Sequence, residues 1–437
     1  MRPTLRVLVD VDPGNTFLEA NETDNSWPRS GQPQPIDVRT VPALPIRFVS
    51  VVNGGRTGNV SGANVESYLV TARRLFPLAT VNATVRATPY TTTAAELQSN
   101  DGNDAWETTL SEINALRVAE GPSGTYYYGV VRVGYTSGIA GIGYVPGRAS
   151  LGWDHLPSGD GVAAHELGHN FSRFHAPCGV TGDPGYPHAG GQIGVWGFNI
   201  ATSALVPPTR PDLMGYCGNV WISDWNWTAV MNYRQSAGSF VGDAEARAEG
   251  AGARTRALLV WGRIGAAGIV VEPAFTLDDA SPTPESPTGD WIAEGRDATG
   301  ALLFRHRFDA PAVDHGDAGS RHFALAVPVD ATVEEALATI EVRAAAGPAR
   351  GRQARMAGAA LPDGERVDVA RAGAGAVTVQ WRSGTARMAL VRDLRTREIL
   401  SFVREPGAQL RAAPDVEVLL SDGVRSRPAR TRLVQPR

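Results

Sequence analysis

The sequence contains no lysine. All 41 of its basic residues are arginine, a usage that fits a GC-rich genome together with the abundant Ala, Gly, Pro and Val. Set against 45 acidic residues they leave a net charge of −4, which gives no reason to expect nucleic acid or an anionic membrane as partner. No run of 18 apolar residues occurs, so no transmembrane helix is expected. A signal peptide is lacking too, because "MRPTLRVLVDVDPGN" puts acidic residues where its apolar core would have to be. Either export depends on something outside this chain or the chain is a trimmed portion of a longer precursor, the reading favoured by its opening directly on a strand-like segment. Cysteine is scarce, with only Cys178 and Cys217, and no glutamate occurs between Glu166 and Glu245. What is present describes ordinary globular protein: 43% hydrophobic and 20% charged residues, and length enough for two to four domains.

Histidine is unevenly spread. Three of the eight fall within "AAHELGHNFSRFHAPCG", residues 163–179. His165 and His169 are four apart, so on a helix they share one face about a turn from each other. Two neutral imidazoles so placed can hold one zinc ion, with Glu166 between them free to act on a water. On an unbroken helix His175 would lie roughly 9 Å further along and on another face. It can be a third ligand only if the helix ends near Ser172. Three nitrogens and one open position make the catalytic form of a zinc site rather than the closed structural form. The alternative is that these are ordinary core or surface histidines. The missing downstream glutamate makes a Glu-ligated zinc protease a poor fit.

The run "HELGHNFSRFH", followed by "DLMGYCG", resembles the HExxHxxGxxH and Met-turn pattern of metzincin zinc endopeptidases. With "DLMGYCGNVWISDWNW" it is similar to a secreted bacterial group of them. The resemblance covers about residues 41–240. It implies one catalytic Zn2+ on His165, His169 and His175, with Glu166 as general base and then general acid. It further implies Met214 as the Met-turn floor beneath the histidines, and Tyr216 as a resting ligand or an oxyanion donor. The family's glycine is Ser172 here, so either the turn takes a less strained shape or hydrogen bonding offsets a cost of about 1 kcal/mol. Both cysteines would lie near such a zinc site, which makes a Cys178–Cys217 disulfide plausible and an oxidising, secreted or cell-surface location with it. The other reading of the pair is two free buried thiols.

The fold expected is multidomain: an α+β metzincin-like catalytic domain followed by one or two all-β sandwiches. Residues 1–40 read as a β segment, the tail of an upstream module, where Asp10, Asp12 and Asp24 could hold structural Ca2+ but read more simply as solvated turn acids. Residues 41–240 alternate strands and helices, with "NVESYLVTARRLFP" and "WETTLSEINALRVAEG" helical. "AGIGYVPGRASLGWD" contains, by analogy, the edge strand that binds substrate by strand addition, Gly141 and Gly143 admitting a peptide backbone. Residues 176–212 should form the wall of the leaving-group side. "WISDWNWTAVMNYR" reads as a closing helix capped by Ser223 or Asp224, with Trp221, Trp225 and Trp227 in the core. After a linker at 236–255, short alternating strands suggest a β-sandwich over 255–349 and a second, or a continuation, over 350–437. His306, His315 and His322 lack metal spacing and read as ordinary strand or surface residues.

The function expected is a secreted, monomeric zinc endopeptidase acting on a polypeptide or glycoprotein. The alternatives are a catalytically inactive adhesion protein on the same framework, and an amidase of cell-wall peptides.

Overall fold

A computed structural model describes residues 5–122, 124–236, 254–316, 319–355, 361, 364–373, 375–382, 384, 386–412 and 414–434. Most of the expected linker, 237–253, lies outside these residues. Strands hold 37% of the chain and helices 15%, so the protein is β-rich, and its strands are divided among several sheets. It separates after Pro42 into two compact units.

In the first unit Arg6–Val7 pairs with Gln34–Pro35 and Val9–Asp10 with Ser26–Trp27, both antiparallel. The acids considered for calcium are engaged locally. Asp12 accepts from the backbone of Thr16 and Phe17 (2.9 and 2.7 Å), Asp10 accepts from Ser26 (2.6 Å), and Asp24 faces Arg29. They form no metal-ligand group among the described residues.

The second unit is built on strand β1 (Leu44–Asn53), an apolar run buried along most of its length. It lies parallel to β2 (Val81–Val85) and to β3 (Tyr126–Val131), as expected of strands joined by crossovers. The helix expected over 64–77 forms as a 3-10 turn, Val65–Tyr68, followed by α1 (Val70–Leu75). It packs on one face of the sheet with α3 (Ser158–Asn170), through Leu69, Ala72, Ala163 and Leu167 against Ile46 and Phe48. The other face receives α2 (Ala105–Glu120) through Leu110 and Ile113. A further helix over 224–236 starts where Ser223 Oγ accepts from the Asn226 amide at 3.1 Å, the cap the sequence suggests. Trp225 and Trp227 depart from the core expectation: each is 40% exposed.

β4 (Gly141–Val145) runs antiparallel to β5 (Ala149–Trp153), which is parallel to β3. The sheet does not end at β4. Downstream come β6 (Thr255–Gly265), β7 (Gly268–Val271), the two-residue β8 (Ala312–Val313) and β9 (Arg321–Pro328). They extend one twelve-stranded sheet in the spatial order β7-β6-β9-β8-β4-β5-β3-β1. Phe275–Ala280 also pairs with β6 in this sheet, and the other described downstream strands form three four-stranded sheets. Leu110, Ile142, Leu259, Trp261, Leu390 and Phe402 belong to one buried cluster, so the segments 41–240, 255–349 and 350–437 share a core. Polar ties add to it. Arg86 pairs with Glu120 (2.9 Å) and donates to the Ile399 carbonyl (2.8 Å), and Glu398 accepts from Thr88 (2.7 Å). In the strand Trp291–Arg296, the buried Glu294 receives Arg296, Arg305 and Arg343 at 2.7–2.9 Å.

Candidate metal centre

Helix α3 carries His165 and His169 on one face and stops at Asn170. The stop is made by Ser172, whose φ of +68° is the left-handed conformation that glycine adopts freely and serine does not. The strained shape is therefore the one taken. The Ser172 amide bonds the His169 carbonyl (2.8 Å) and the Arg173 amide the Gly168 carbonyl (3.0 Å), closing the helix end. This reversal brings His175 back, so that its ring lies 4.8 Å from that of His169 and 5.3 Å from that of His165.

The tautomers follow from the other side of each ring. His165 Nδ1 donates to the Leu213 carbonyl (2.9 Å) and His169 Nδ1 to the Arg173 carbonyl (2.7 Å). Each Nε2 is then a bare lone pair, yet the two lie 3.1 Å apart. Two acceptors at that distance repel unless a cation sits between them. Adjacent corners of a tetrahedral zinc site with Zn–N bonds near 2.0–2.1 Å are about 3.3 Å apart. The carbonyls thus do what outer-shell groups of metal-ligating histidines do. Burial, then the neighbouring His169, holds His165 well below the usual imidazole range, and burial first holds His175 down to about 4. Neutral imidazole is the ligating state.

Glu166 is 2% exposed, and its Oε2 has no hydrogen-bond partner. Burial first, and then the nearby Asp314 charge, pushes its carboxyl well above the usual range. The room for it comes from β4. A Cβ at Gly141 would stand 2.6 Å from Glu166 Oε1, and one at Gly143 3.0 Å from Oε2. Both glycines therefore clear space for this carboxylate, a use distinct from the close peptide approach the sequence suggests.

The turn after 211 forms the floor. Buried Asp212 accepts from the amides of Met214 (2.8 Å) and Ser223 (2.8 Å) and from Asn226 Nδ2 (2.9 Å). It holds Leu213 in position to orient His165 and places Met214, fully buried, against Gly168, where a Cβ would meet its sulfur at 2.3 Å. The loop after His175 is stitched to this turn. Ala176 donates to Met214 (3.0 Å), Tyr216 to Cys178 (2.7 Å), and Cys178 and Cys217 form a disulfide, so neither cysteine is free. Tyr216 packs edge-on to His175, with centroids 5.0 Å apart, but its hydroxyl lies 2.7 Å from His315 Nδ1.

His315 is the largest departure from the sequence reading, which makes it an ordinary strand or surface residue. Together with Asp314 it enters the cluster. Asp314 Oδ2 lies 3.0 Å from His169 Nε2, 3.4 Å from His175 Nε2 and 2.8 Å from His315 Nε2. Ligand atoms of His165, His169, His175, Asp314 and His315 all fall within 4.8 Å of one another. Neither Asp314 nor Asp212 is marked by a motif, and their only signals are "VDHGD", an acid beside a histidine, and an acid two before Met214. His322 stays outside the cluster, buried, with its Nδ1 2.8 Å from Tyr144 Oη.

No family model matches the chain, and no curated protein is detectably similar to it. The donor set alone describes the site: imidazole nitrogens with lone pairs facing inward, one carboxylate oxygen among them, and a second, buried carboxyl alongside. Such a set could hold a metal ion.

Proposed function

We propose that the protein is a metzincin-like zinc endopeptidase working outside the cytoplasm. The observation that carries the reading is the buried Glu166 carboxyl, whose Oε2 has no hydrogen-bond partner, beside two imidazoles with facing Nε2 lone pairs and a third, His175, whose ligand atom lies within 4.8 Å of theirs. A structural metal site has no use for a buried acid with an oxygen left without a hydrogen-bond donor.

His165, His169 and His175 would hold the zinc, which when bound supplies Lewis acidity toward a carbonyl and acidifies water. Glu166, ionised beside the bound cation, takes a proton from the attacking water and returns it to the departing amine. Leu213 and Arg173 carbonyls keep two imidazoles in the ligating tautomer. The side of β4 toward the site is paired with β8, and an extended polypeptide could pair there only once β8 is displaced; polypeptide is the substrate class this reading implies. The disulfide supports an oxidising location, and no described helix is long and apolar enough to cross a membrane.

The second reading is an inactive, metal-stapled protein, favoured by Asp314, which adds a fourth donor as in closed sites. The test uses equilibrium zinc binding and cleavage of unfolded casein, each in the wild type and in an Asp314→Ala background. Zinc binding without cleavage in both, unaffected by Glu166→Gln, would support the inactive reading and remove the peptidase one.

A further inference from the structure

We infer that the chain is held latent by its own downstream β region: the segment Ala312–His315 fills the peptide-binding edge, and Asp314 is a displaceable fourth ligand of the metal. This rests on the zinc-peptidase reading and assigns the regulation of that site.

Three independent observations converge on it. The first is strand pairing. β8 lies antiparallel on β4, with Val313 opposite Tyr144 and Ala312 opposite Val145, and the Asp314 amide donates to the Gly143 carbonyl at 2.9 Å. The donors and acceptors along this edge of β4 are the ones an extended substrate needs, so the segment and a substrate cannot both pair there. The second is the donor set. With Asp314 Oδ2 3.0 Å from His169 Nε2 and 3.4 Å from His175 Nε2, the position that a catalytic site leaves open is taken by a carboxylate. One segment therefore blocks both things a substrate requires.

The third is how the segment is delivered. His315 has φ +63°, a left-handed residue placed directly after the ligand, so the chain turns away as soon as the carboxylate has reached the site. The return path is anchored on α2. Ser320 Oγ donates to Glu107 Oε2 (2.6 Å), and a Cβ at Gly316 would stand 2.6 Å from Glu107 Oε1. The Val313 amide closes back on the Ser320 carbonyl (3.0 Å), and Tyr216 covers His315 with nearly parallel rings. The pairing with β4 itself is only two residues long. Parting β8 from β4 therefore breaks a two-residue ladder, the Asp314–Gly143 bond and the contacts of His315 with Tyr216, while the ties to β9 and α2 can stay and the rest of the sheet need not unfold.

The test needs a readout of the metal itself. Cobalt(II) would be loaded into the full chain and acetohydroxamate titrated while its visible absorption bands are recorded, in the wild type, Asp314→Ala and Asp314→Asn. Asparagine keeps the shape of the side chain and guards against a folding defect, while its neutral amide is a poor ligand. A latch that keeps the site closed most of the time lowers apparent affinity by the fraction of open sites. We expect hydroxamate to bind at least about 100-fold more tightly to Asp314→Ala than to the wild type, and at least about tenfold more tightly to Asp314→Asn. The cobalt bands of the unliganded protein should also change when Asp314 is removed. Equal hydroxamate affinity and unchanged bands across all three proteins would overturn the latch. Casein cleavage by the zinc forms is measured alongside. Opened coordination without cleavage leaves the latch standing and defeats the peptidase reading, so the two fail separately.

Discussion

Reduction of the Cys178–Cys217 bond should loosen the metal centre more than any other change made outside the ligands. The bond closes 39 residues of chain that hold little regular structure beyond two three-residue strands, Gly197–Asn199 and Ala204–Val206. For a closed loop of that length the chain-entropy relation gives about 13 cal/mol/K, or about 4 kcal/mol at 25 °C. The realised effect is smaller, about 2–3 kcal/mol, because other ties survive reduction. These are the Ala176–Met214 and Tyr216–Cys178 backbone bonds and the three hydrogen bonds of Asp212. The assay compares oxidised protein with reduced, alkylated protein, both metal-free, by hydrogen exchange over residues 176–217 and by urea unfolding. Trp196, Trp221, Trp225 and Trp227 lie in or beside the loop and report its opening by fluorescence. Zinc affinity should fall with stability, since the loop contains Leu213, whose carbonyl orients His165. Two forms that exchange, unfold and bind zinc alike, to within about 0.5 kcal/mol, would refute the reasoning.

His175→Ala should weaken zinc binding by at least about 100-fold, measured by competition with a chelating dye, whereas Glu166→Gln should leave it within a few-fold. Ser172→Gly should raise stability by about 1 kcal/mol in urea unfolding, because glycine takes φ +68° without the Cβ clash; a lower stability would mean that the serine side chain is worth more than its strain. Glu294 offers a pH test. Burial opposes its ionisation, but hydrogen bonds from Arg343, Arg296 and Arg305 outweigh that and hold it down to about 2. Its contribution is therefore complete above an unfolded-state pKa near 4.5 and is lost as pH falls toward 2. Glu294→Gln should cost roughly 2 kcal/mol at pH 7 and flatten the acid side of the stability profile over that window.

Much of the site is local chemistry and can be read from the chain. The four-residue spacing of His165 and His169, the break near Ser172, Met214 and the cysteine pair all lie within 53 residues, 165–217, and the structure brings them together. The β-rich character after 255 is legible in the same way, because alternation of apolar residues is a property of each strand by itself. What escapes is everything set by pairing between distant segments. β8 has two residues, too few to alternate, and its partner on β4 is some 170 positions away. His315 looks unremarkable beside Arg and Asp turns until that pairing sets it against His175, with ring centroids 5.2 Å apart. The tryptophans mislead for a related reason: an amphipathic pattern says which face of a helix is apolar, but not whether another segment covers it, and Trp225 and Trp227 remain partly bare.

The long separation between β4 and β8 also sets an order of events during synthesis. Strand β4, helix α3 and all three histidines leave the ribosome well before Val313 and Asp314 do. At ~5–20 residues per second the interval is roughly ten to thirty seconds. An inhibitory segment placed ahead of an enzyme is present from the first moment the active fold can form. On the latch proposed above, one placed behind the site arrives later, but Leu259, Trp261, Leu390 and Phe402 complete the same buried cluster as Leu110 and Ile142, so the site and its guard are finished together.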